Sequence, residues 1–202
     1  SCITMMGRQS SVDVVSMRID DGDRIEIEGI ALDAIYTPGH TDDSYCFAMA
    51  DRVFTGDTLL IRGTGRTDFQ HGSALAGYDS LFNKLLQMPD ETLVYPGHDY
   101  KGDTVSTIGE ERRFNPRLQV NSAEAYADIM DNLGLPDPKM MDVAVPANIK
   151  MGMQQADAEL AERSRTPGDA NSRLQSGGPI FAALRESAEP PQPGVTTGPC
   201  PL

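Results

Sequence analysis

Three sharp corners, each following a strand-like run of apolar residues, constrain this chain more than any other feature. Two are Pro-Gly-His turns that end at His40 and His98, and the third is a Gly-Asp turn that ends at Asp57. A Pro-Gly pair turns the chain abruptly, so the following side chain projects from the strand end. One such corner is most simply a polar turn. Three of them, carrying two imidazoles and a carboxylate, predict a pocket for Fe(II) or Zn(II) at the end of a β-sheet.

The pattern of apolar residues predicts strands first and helices later. Strand-like runs occur at residues 24–28, 30–36, 45–49 and 52–55. Helices are predicted after three capping residues, Ser73, Thr107 and Asn121. Between the predicted strands and helices, residues 57–72 are glycine-rich and show no regular spacing of apolar residues, which predicts an irregular functional loop. This order indicates an α/β layered domain.

Composition limits the possible binding partners and the number of domains. The formal charge of −13, without a stripe of Lys and Arg, argues against nucleic acid or a membrane surface as a partner. The three cysteines are far apart, which favours a reducing, cytoplasmic location over a disulfide framework. From residue 153 onward the chain is rich in Pro, Gly and Ser, so we expect one domain at 1–152 and a mostly disordered tail at 153–202.

The corner motifs also resemble a known family. The strings TPGHT, TGDTLL and PGHDY are similar to metal-site motifs of the metallo-β-lactamase superfamily. The longer strings GDTLLIRGTGRTDFQHG and STIGEERRFNPRL resemble its ETHE1-like persulfide dioxygenase branch over roughly residues 10–152. The resemblance implies an α/β fold, the C-terminal part of a metallo-β-lactamase-type αββα sandwich.

This resemblance implies an activity and a cofactor. His40 and Asp57 would be catalytic and would bind a mononuclear Fe(II), with Zn as the alternative metal. The substrates would be glutathione persulfide and O2, and the products sulfite and glutathione. A homodimer is one assembly that the resemblance allows.

The roles of four further residues remain open at this point. Tyr100, Arg117 and Asn148 match positions that contact the glutathione moiety in this family, although each is more often structural. Arg66 would either bind the substrate or stiffen the loop by pairing with Asp68.

His98 matches a ligand of the second metal in dinuclear members of the superfamily. In the mononuclear dioxygenase branch, the matching residue instead orients a ligand or a water molecule. We therefore retain His98 as a candidate metal ligand beside His40 and Asp57.

One departure from the family pattern bears on activity. The family takes its first iron-binding histidine from an H-x-H-x-D-H motif upstream of the TPGH corner, but the first histidine here is His40. We expect the chain to lack the N-terminal half of the domain and to be inactive by itself, its intact parent being the enzyme. The alternatives are a dinuclear glutathione thioesterase of the glyoxalase II type and a non-catalytic remnant.

Overall fold

The computed structural model describes residues 3–13, 15–136 and 140–149. All of them lie in one compact unit, Ser1–Gln154. The second unit, Gln155–Leu202, lies outside the described residues, and so does the whole predicted tail at 153–202. No helix within the described ranges is long and apolar enough to cross a membrane.

Strands dominate the first half of the chain and helices the second, as the sequence predicts. The strands are β1 (Met5–Gly7), β2 (Met17–Ile19), β3 (Arg24–Ile27), β4 (Ile30–Tyr36), β5 (Tyr45–Ala48), β6 (Arg52–Gly56), β7 (Leu59–Leu60), β8 (Gly63–Thr64), β9 (Leu93–Pro96) and β10 (Ser106–Thr107). The helices are α1 (Ala74–Asp79), α2 (Ile108–Phe114), α3 (Ala123–Asp131) and α4 (Met141–Ile149).

A six-stranded sheet with the order β10-β9-β6-β5-β4-β3 forms the centre of the fold. Strands β3 to β6 pair antiparallel with their neighbours, and β6 pairs parallel with β9 after a crossover through α1. Because direction reverses at each antiparallel step, β4, β6 and β9 run the same way. Their C-terminal ends therefore lie at one edge of the sheet.

One face of this sheet is buried beneath helices. Cys46, Val53 and Val94 share a core with Leu85 and Ile108, and all five side chains are completely buried. The register places these three sheet residues on the same face. Burial of this face provides the main apolar contribution to stability.

The other face is also apolar. Strand register places Ile27, Ile30, Phe47 and Phe54 on it, and Ile27, Ile30 and Phe54 are 52%, 53% and 40% exposed. The parallel pair β1–β2 lies against this face at Tyr45, whose hydroxyl donates to the carbonyl of Ile19. The layered α/β architecture expected from the sequence is thus confirmed.

Several local predictions need correction. The segment 57–72 is not wholly irregular, because β7 and β8 form a short antiparallel hairpin within it. The cap of α3 is Ser122, whose hydroxyl accepts from the Ala125 amide, and not Asn121. Near the predicted cap Ser73, Leu75 is 58% exposed, whereas Leu81 is buried. A π-helical turn at Ser80–Lys84 follows α1 and changes the angular spacing of the later side chains.

Candidate metal centre

The three predicted corners come together at one edge of the sheet. His40 follows β4 after three residues, Asp57 follows β6 directly, and His98 follows β9 after one residue. Because these three strands run in the same direction, their ends project the three side chains into the same region. The sheet topology thereby supplies the convergence that no single turn could provide.

The corner before His40 is fixed on helix α1. Gly39 has φ +150, and a Cβ there would lie 2.4 Å from the Cα of Gly77, so the two backbones touch. Glycine is required at position 39, whereas a Cβ on Gly77 would lie at an ordinary contact distance of 3.6 Å from the Cα of Gly39. The Ser73 amide donates to the Gly39 carbonyl, and the Ser80 hydroxyl donates to the Pro38 carbonyl.

The His40 ring is held in one orientation by main-chain atoms. Its Nδ1 lies 2.7 Å from the carbonyl oxygen of Arg66. Since a carbonyl only accepts, Nδ1 carries the proton and donates. A Cβ on Gly65 would lie 2.8 Å from Cγ of this ring, so the imidazole packs directly on the Gly65 backbone. When the ring is neutral, Nε2 on its other side carries the lone pair.

The Asp57 carboxylate faces that lone pair. Its Oδ2 lies 3.5 Å from His40 Nε2, and both side chains are partly buried, at 28% and 22% exposed. A carboxylate oxygen and an unprotonated imidazole nitrogen are both acceptors, so they repel unless a cation lies between them. The pair thus fits a metal ion that prefers mixed nitrogen and oxygen ligands.

His98 contacts the other carboxylate oxygen. Its Nδ1 lies 2.6 Å from Asp57 Oδ1, a hydrogen-bond distance. The preceding turn is close to Asp57 as well, because a Cβ on Gly97 would lie 3.1 Å from the same oxygen. His98 is 60% exposed, and its ring stacks on Tyr100 with centroids 6.2 Å apart. In this geometry His98 orients the carboxylate, and its role as a metal ligand stays a prediction.

No group of three or more His, Cys, Asp and Glu side chains with the arrangement of a metal site occurs within residues 3–13, 15–136 and 140–149. What the described residues provide is the pair His40 and Asp57, with His98 behind the carboxylate. His71 is exposed in the loop with φ +59.

Arg66 is engaged by three neighbours. Its guanidinium makes two 2.7 Å hydrogen bonds to Asp68, a third of 2.9 Å to the Pro136 carbonyl, and stacks 4.3 Å above the Phe69 ring. The hydrogen bond from Arg66 lowers the pKa of Asp68. Of the two roles predicted for Arg66, this geometry favours the stiffening of the loop.

The other three candidate substrate residues differ in their surroundings. Tyr100 is 83% exposed beside His98. Arg117 is partly buried and donates to the Thr64 carbonyl, and burial lowers its pKa. Asn148 is exposed on α4, and among the described residues it makes no hydrogen bond to the other predicted site residues. Their substrate roles stay predictions.

The buried position of Glu111 is not evident from the residues beside it. It lies in a run of four charged residues, which is typical of a solvated helix face, yet its side chain is completely buried. The missed signal is the spacing of Ile108, Glu111, Asn115 and Leu118 in steps of three and four, and all four are buried although α2 itself ends at Phe114.

Comparison with known proteins agrees with the geometry. The profile of the Metallo-beta-lactamase superfamily matches residues 7–98. Human mitochondrial persulfide dioxygenase ETHE1 is 46% identical over 155 residues, which cover 76% of this chain and 60% of that protein. The crystal structure of ETHE1 from Myxococcus xanthus matches with a TM-score of 0.71 and 50% identity, covering 74% of this chain and 66% of that one.

A more distant relative belongs to another activity class. A probable hydroxyacylglutathione hydrolase from Schizosaccharomyces pombe is 32% identical over 161 residues, covering 63% of this chain and 60% of that protein. The chain thus spans about three fifths of the length of these two curated relatives. These similarities confirm the sandwich-type fold that the motifs predict.

Proposed function

We propose that this chain, which matches the metallo-beta-lactamase superfamily over residues 7–98 and is similar to persulfide dioxygenases as its motifs predict, is part of an iron-dependent dioxygenase that oxidises glutathione persulfide. The intact parent protein would convert the persulfide and O2 to sulfite and glutathione. Two oxygen atoms of the sulfite come from O2, and water supplies the third. The observation that carries the proposal is the facing pair His40 Nε2 and Asp57 Oδ2, 3.5 Å apart.

Two protein atoms would hold the iron in the described part of the chain. They are His40 Nε2 and Asp57 Oδ2, the nitrogen and oxygen donors that non-haem iron enzymes use. When bound, Fe(II) supplies the redox chemistry that makes O2 reactive toward a persulfide sulfur. His98 would hold the Asp57 carboxylate in the orientation that directs Oδ2 toward the metal.

The substrate would be held by residues around this edge of the sheet. We assign the glutathione moiety to Tyr100, Arg117 and Asn148, since a tripeptide with two carboxylates is matched by a cation and amide donors. The chain carries a net charge of −13, so a local cation is needed for an anionic ligand. We also propose a cytoplasmic location, a domain at residues 1–152 and a homodimer as the assembly to test.

A dinuclear glutathione thioesterase is the second candidate. The relative from Schizosaccharomyces pombe favours it, and so does the position of His98 within 2.6 Å of Asp57, which would become a bridging carboxylate. In that enzyme two metals would activate a water molecule for thioester hydrolysis. The third candidate is a non-catalytic remnant, in which the facing pair His40 and Asp57 would have no role.

The test measures metal content and O2 uptake on the longest natural form of the protein that carries this chain. We expect about one iron per chain, O2 consumption with glutathione persulfide, and sulfite as the product. The Asp57→Asn variant should lose both iron and O2 uptake. Two metals with hydrolysis of a glutathione thioester would establish the second candidate, and a metal-free protein inactive on both substrates would support the remnant.

A further inference from the structure

A buried charged cluster contacts the tip of the β7–β8 hairpin, in the segment that follows Asp57. Glu111 on α2 has a completely buried side chain and four hydrogen-bond donors around it. Its Oε1 accepts from Arg62 Nη1 at 2.5 Å and from Ser106 Oγ at 2.6 Å. Its Oε2 accepts from the Arg62 amide at 2.8 Å and from Asn115 Nδ2 at 2.9 Å. A buried carboxylate is tolerated when it is satisfied in this way.

The partners of Glu111 identify what this cluster holds. Arg62 occupies the tip of the β7–β8 hairpin with φ +57, a left-handed conformation that is unfavourable for arginine. Asn115, one helical turn beyond Glu111, also donates to the carbonyl of Gly63 at 2.9 Å. Helix α2 therefore fixes both the tip and one strand of the hairpin.

The hairpin in turn connects Asp57 to the backbone that holds His40 in the candidate metal centre. Strand β7 begins two residues after Asp57, and β8 ends at Thr64, two residues before Arg66. The Arg66 carbonyl holds His40 Nδ1, and the Gly65 backbone carries the His40 ring. The shape of the hairpin thus determines where the Arg66 carbonyl lies relative to the Asp57 carboxylate.

From these contacts we infer that Glu111, together with Asn115, is a positioning residue for the metal centre: it clamps the β7–β8 hairpin so that the Arg66 carbonyl stays on His40 Nδ1. The inference rests on the proposed function for its purpose, although the clamp itself is a property of the fold. Neither residue touches the candidate metal ligands, and both act through the backbone of residues 59–66.

Hydrogen bonds suit this task better than apolar contacts would. An apolar cluster would hold the hairpin against α2, but it would tolerate sliding and rotation. The two oxygens of Glu111 accept from donors in fixed directions, so they define one position of the tip. The buried polar cluster would therefore define the position of the hairpin tip more precisely, although burial of its polar groups costs desolvation free energy.

Nuclear magnetic resonance on the whole chain tests the clamp without any bound metal. The ring nitrogen-15 resonances of His40 identify which nitrogen carries the proton, and amide hydrogen exchange reports the opening of residues 59–66. In the wild type we expect His40 protonated at Nδ1 and slow exchange across β7 and β8. In Glu111→Gln we expect a mixture of His40 tautomers and exchange at least 10-fold faster in the hairpin.

Two further variants and one control separate positioning from general stability. Ser106→Ala removes a single bond to Glu111, so it should give the same changes in weaker form if Glu111→Gln fails to fold. Leu85→Ala opens a cavity in the core that Leu85 shares with Leu59 and Ile108, but it removes no hydrogen bond to the hairpin, so it should lower the melting temperature without changing the His40 tautomer. Glu124→Gln makes the same chemical change as Glu111→Gln on an exposed helix position and should alter neither readout.

The outcomes are decisive for the clamp whether or not the chain proves to be a dioxygenase. Unchanged His40 resonances and hairpin exchange in both Glu111→Gln and Ser106→Ala would overturn it. Equal changes in Leu85→Ala would also overturn it, since they would reveal only a loss of stability. If the clamp is verified while the parent protein consumes no O2, the proposed function fails and the clamp stands.

Discussion

The Nδ1 atom of His98 lies 2.6 Å from the Oδ1 atom of Asp57, which leaves Oδ2 as the carboxylate oxygen that faces His40. One aspartate thus contacts both histidines through different atoms. The division matters because it separates a group that would bind a metal from a group that would orient the metal's ligand.

The first prediction concerns that division. His98→Ala should lower the affinity of the chain for Co(II) by about 10- to 100-fold, the usual effect of losing a partner that orients a ligand. Asp57→Ala should abolish binding. A spectroscopic titration with Co(II) measures both. Equal loss in the two variants would mean that His98 is itself a ligand, as in the dinuclear candidate.

The second prediction concerns the contact between the His40 ring and the chain. A Cβ at position 65 would lie 2.2 Å from the Asp57 carbonyl oxygen and 2.8 Å from the His40 ring. Gly65→Ala should therefore destabilise the fold by about 1–3 kcal/mol and weaken Co(II) binding. Gly63→Ala is the control, because its Cβ would meet only Leu60 Cβ at 3.9 Å. We expect its unfolding free energy, measured in urea, to change by less than about 1 kcal/mol. Comparable losses in both variants would contradict the argument.

The third prediction separates the two roles of Arg66. If its side chain stiffens the loop, Arg66→Lys and Asp68→Asn should each cost about 0.5–1 kcal/mol, and the double variant should cost less than their sum. Urea unfolding of the four proteins gives this cycle. In the longest natural form, both single variants should then have similar KM values for the persulfide. A KM raised only by Arg66→Lys would instead place the guanidinium on the substrate.

The fourth prediction concerns stability at alkaline pH. Burial raises the pKa of the Cys46 thiol to about 11, against about 8.5 in an unfolded chain. Between these values the folded protein binds more protons than the unfolded chain, so stability is full below pH 8.5 and falls as pH rises toward 11. The loss attributable to Cys46 should reach about 3 kcal/mol.

Cys46→Ala isolates this contribution. Its unfolding free energy should fall less steeply between pH 8.5 and 10.5 than that of the wild type, with all other titrating groups retained in both proteins. Identical slopes would show that Cys46 is accessible to solvent or does not ionise on unfolding in this range.

The sequence could predict the convergence of the three corners because its signals are local. A Pro-Gly pair marks each histidine corner, and the strand-like runs before His40, Asp57 and His98 are plain in the sequence. Strand direction then follows from two antiparallel steps and one helical crossover. Nothing more is needed to place these side chains at one edge.

The residues beneath the centre could not be predicted in this way. Glu111 lies in a run of four charged residues, so its charge outweighed its helical spacing. The hairpin of residues 59–64 depends on that buried carboxylate, which is 49 residues away from Arg62 in the sequence. Local propensities cannot indicate a partner so distant in the sequence. Likewise β1 pairs with β2 in parallel across a 12-residue separation that no short-range pattern reveals.

The acceptor that fixes His40 is a main-chain oxygen, and this makes the centre sensitive to chain length more than to residue identity. Any side chain at position 66 leaves that carbonyl oxygen in place. One residue inserted or deleted between Thr58 and Gly65 would instead move the oxygen away from the imidazole. Engineered variants should accordingly accept replacement of the side chain at position 66 more readily than any change in the number of residues in this hairpin.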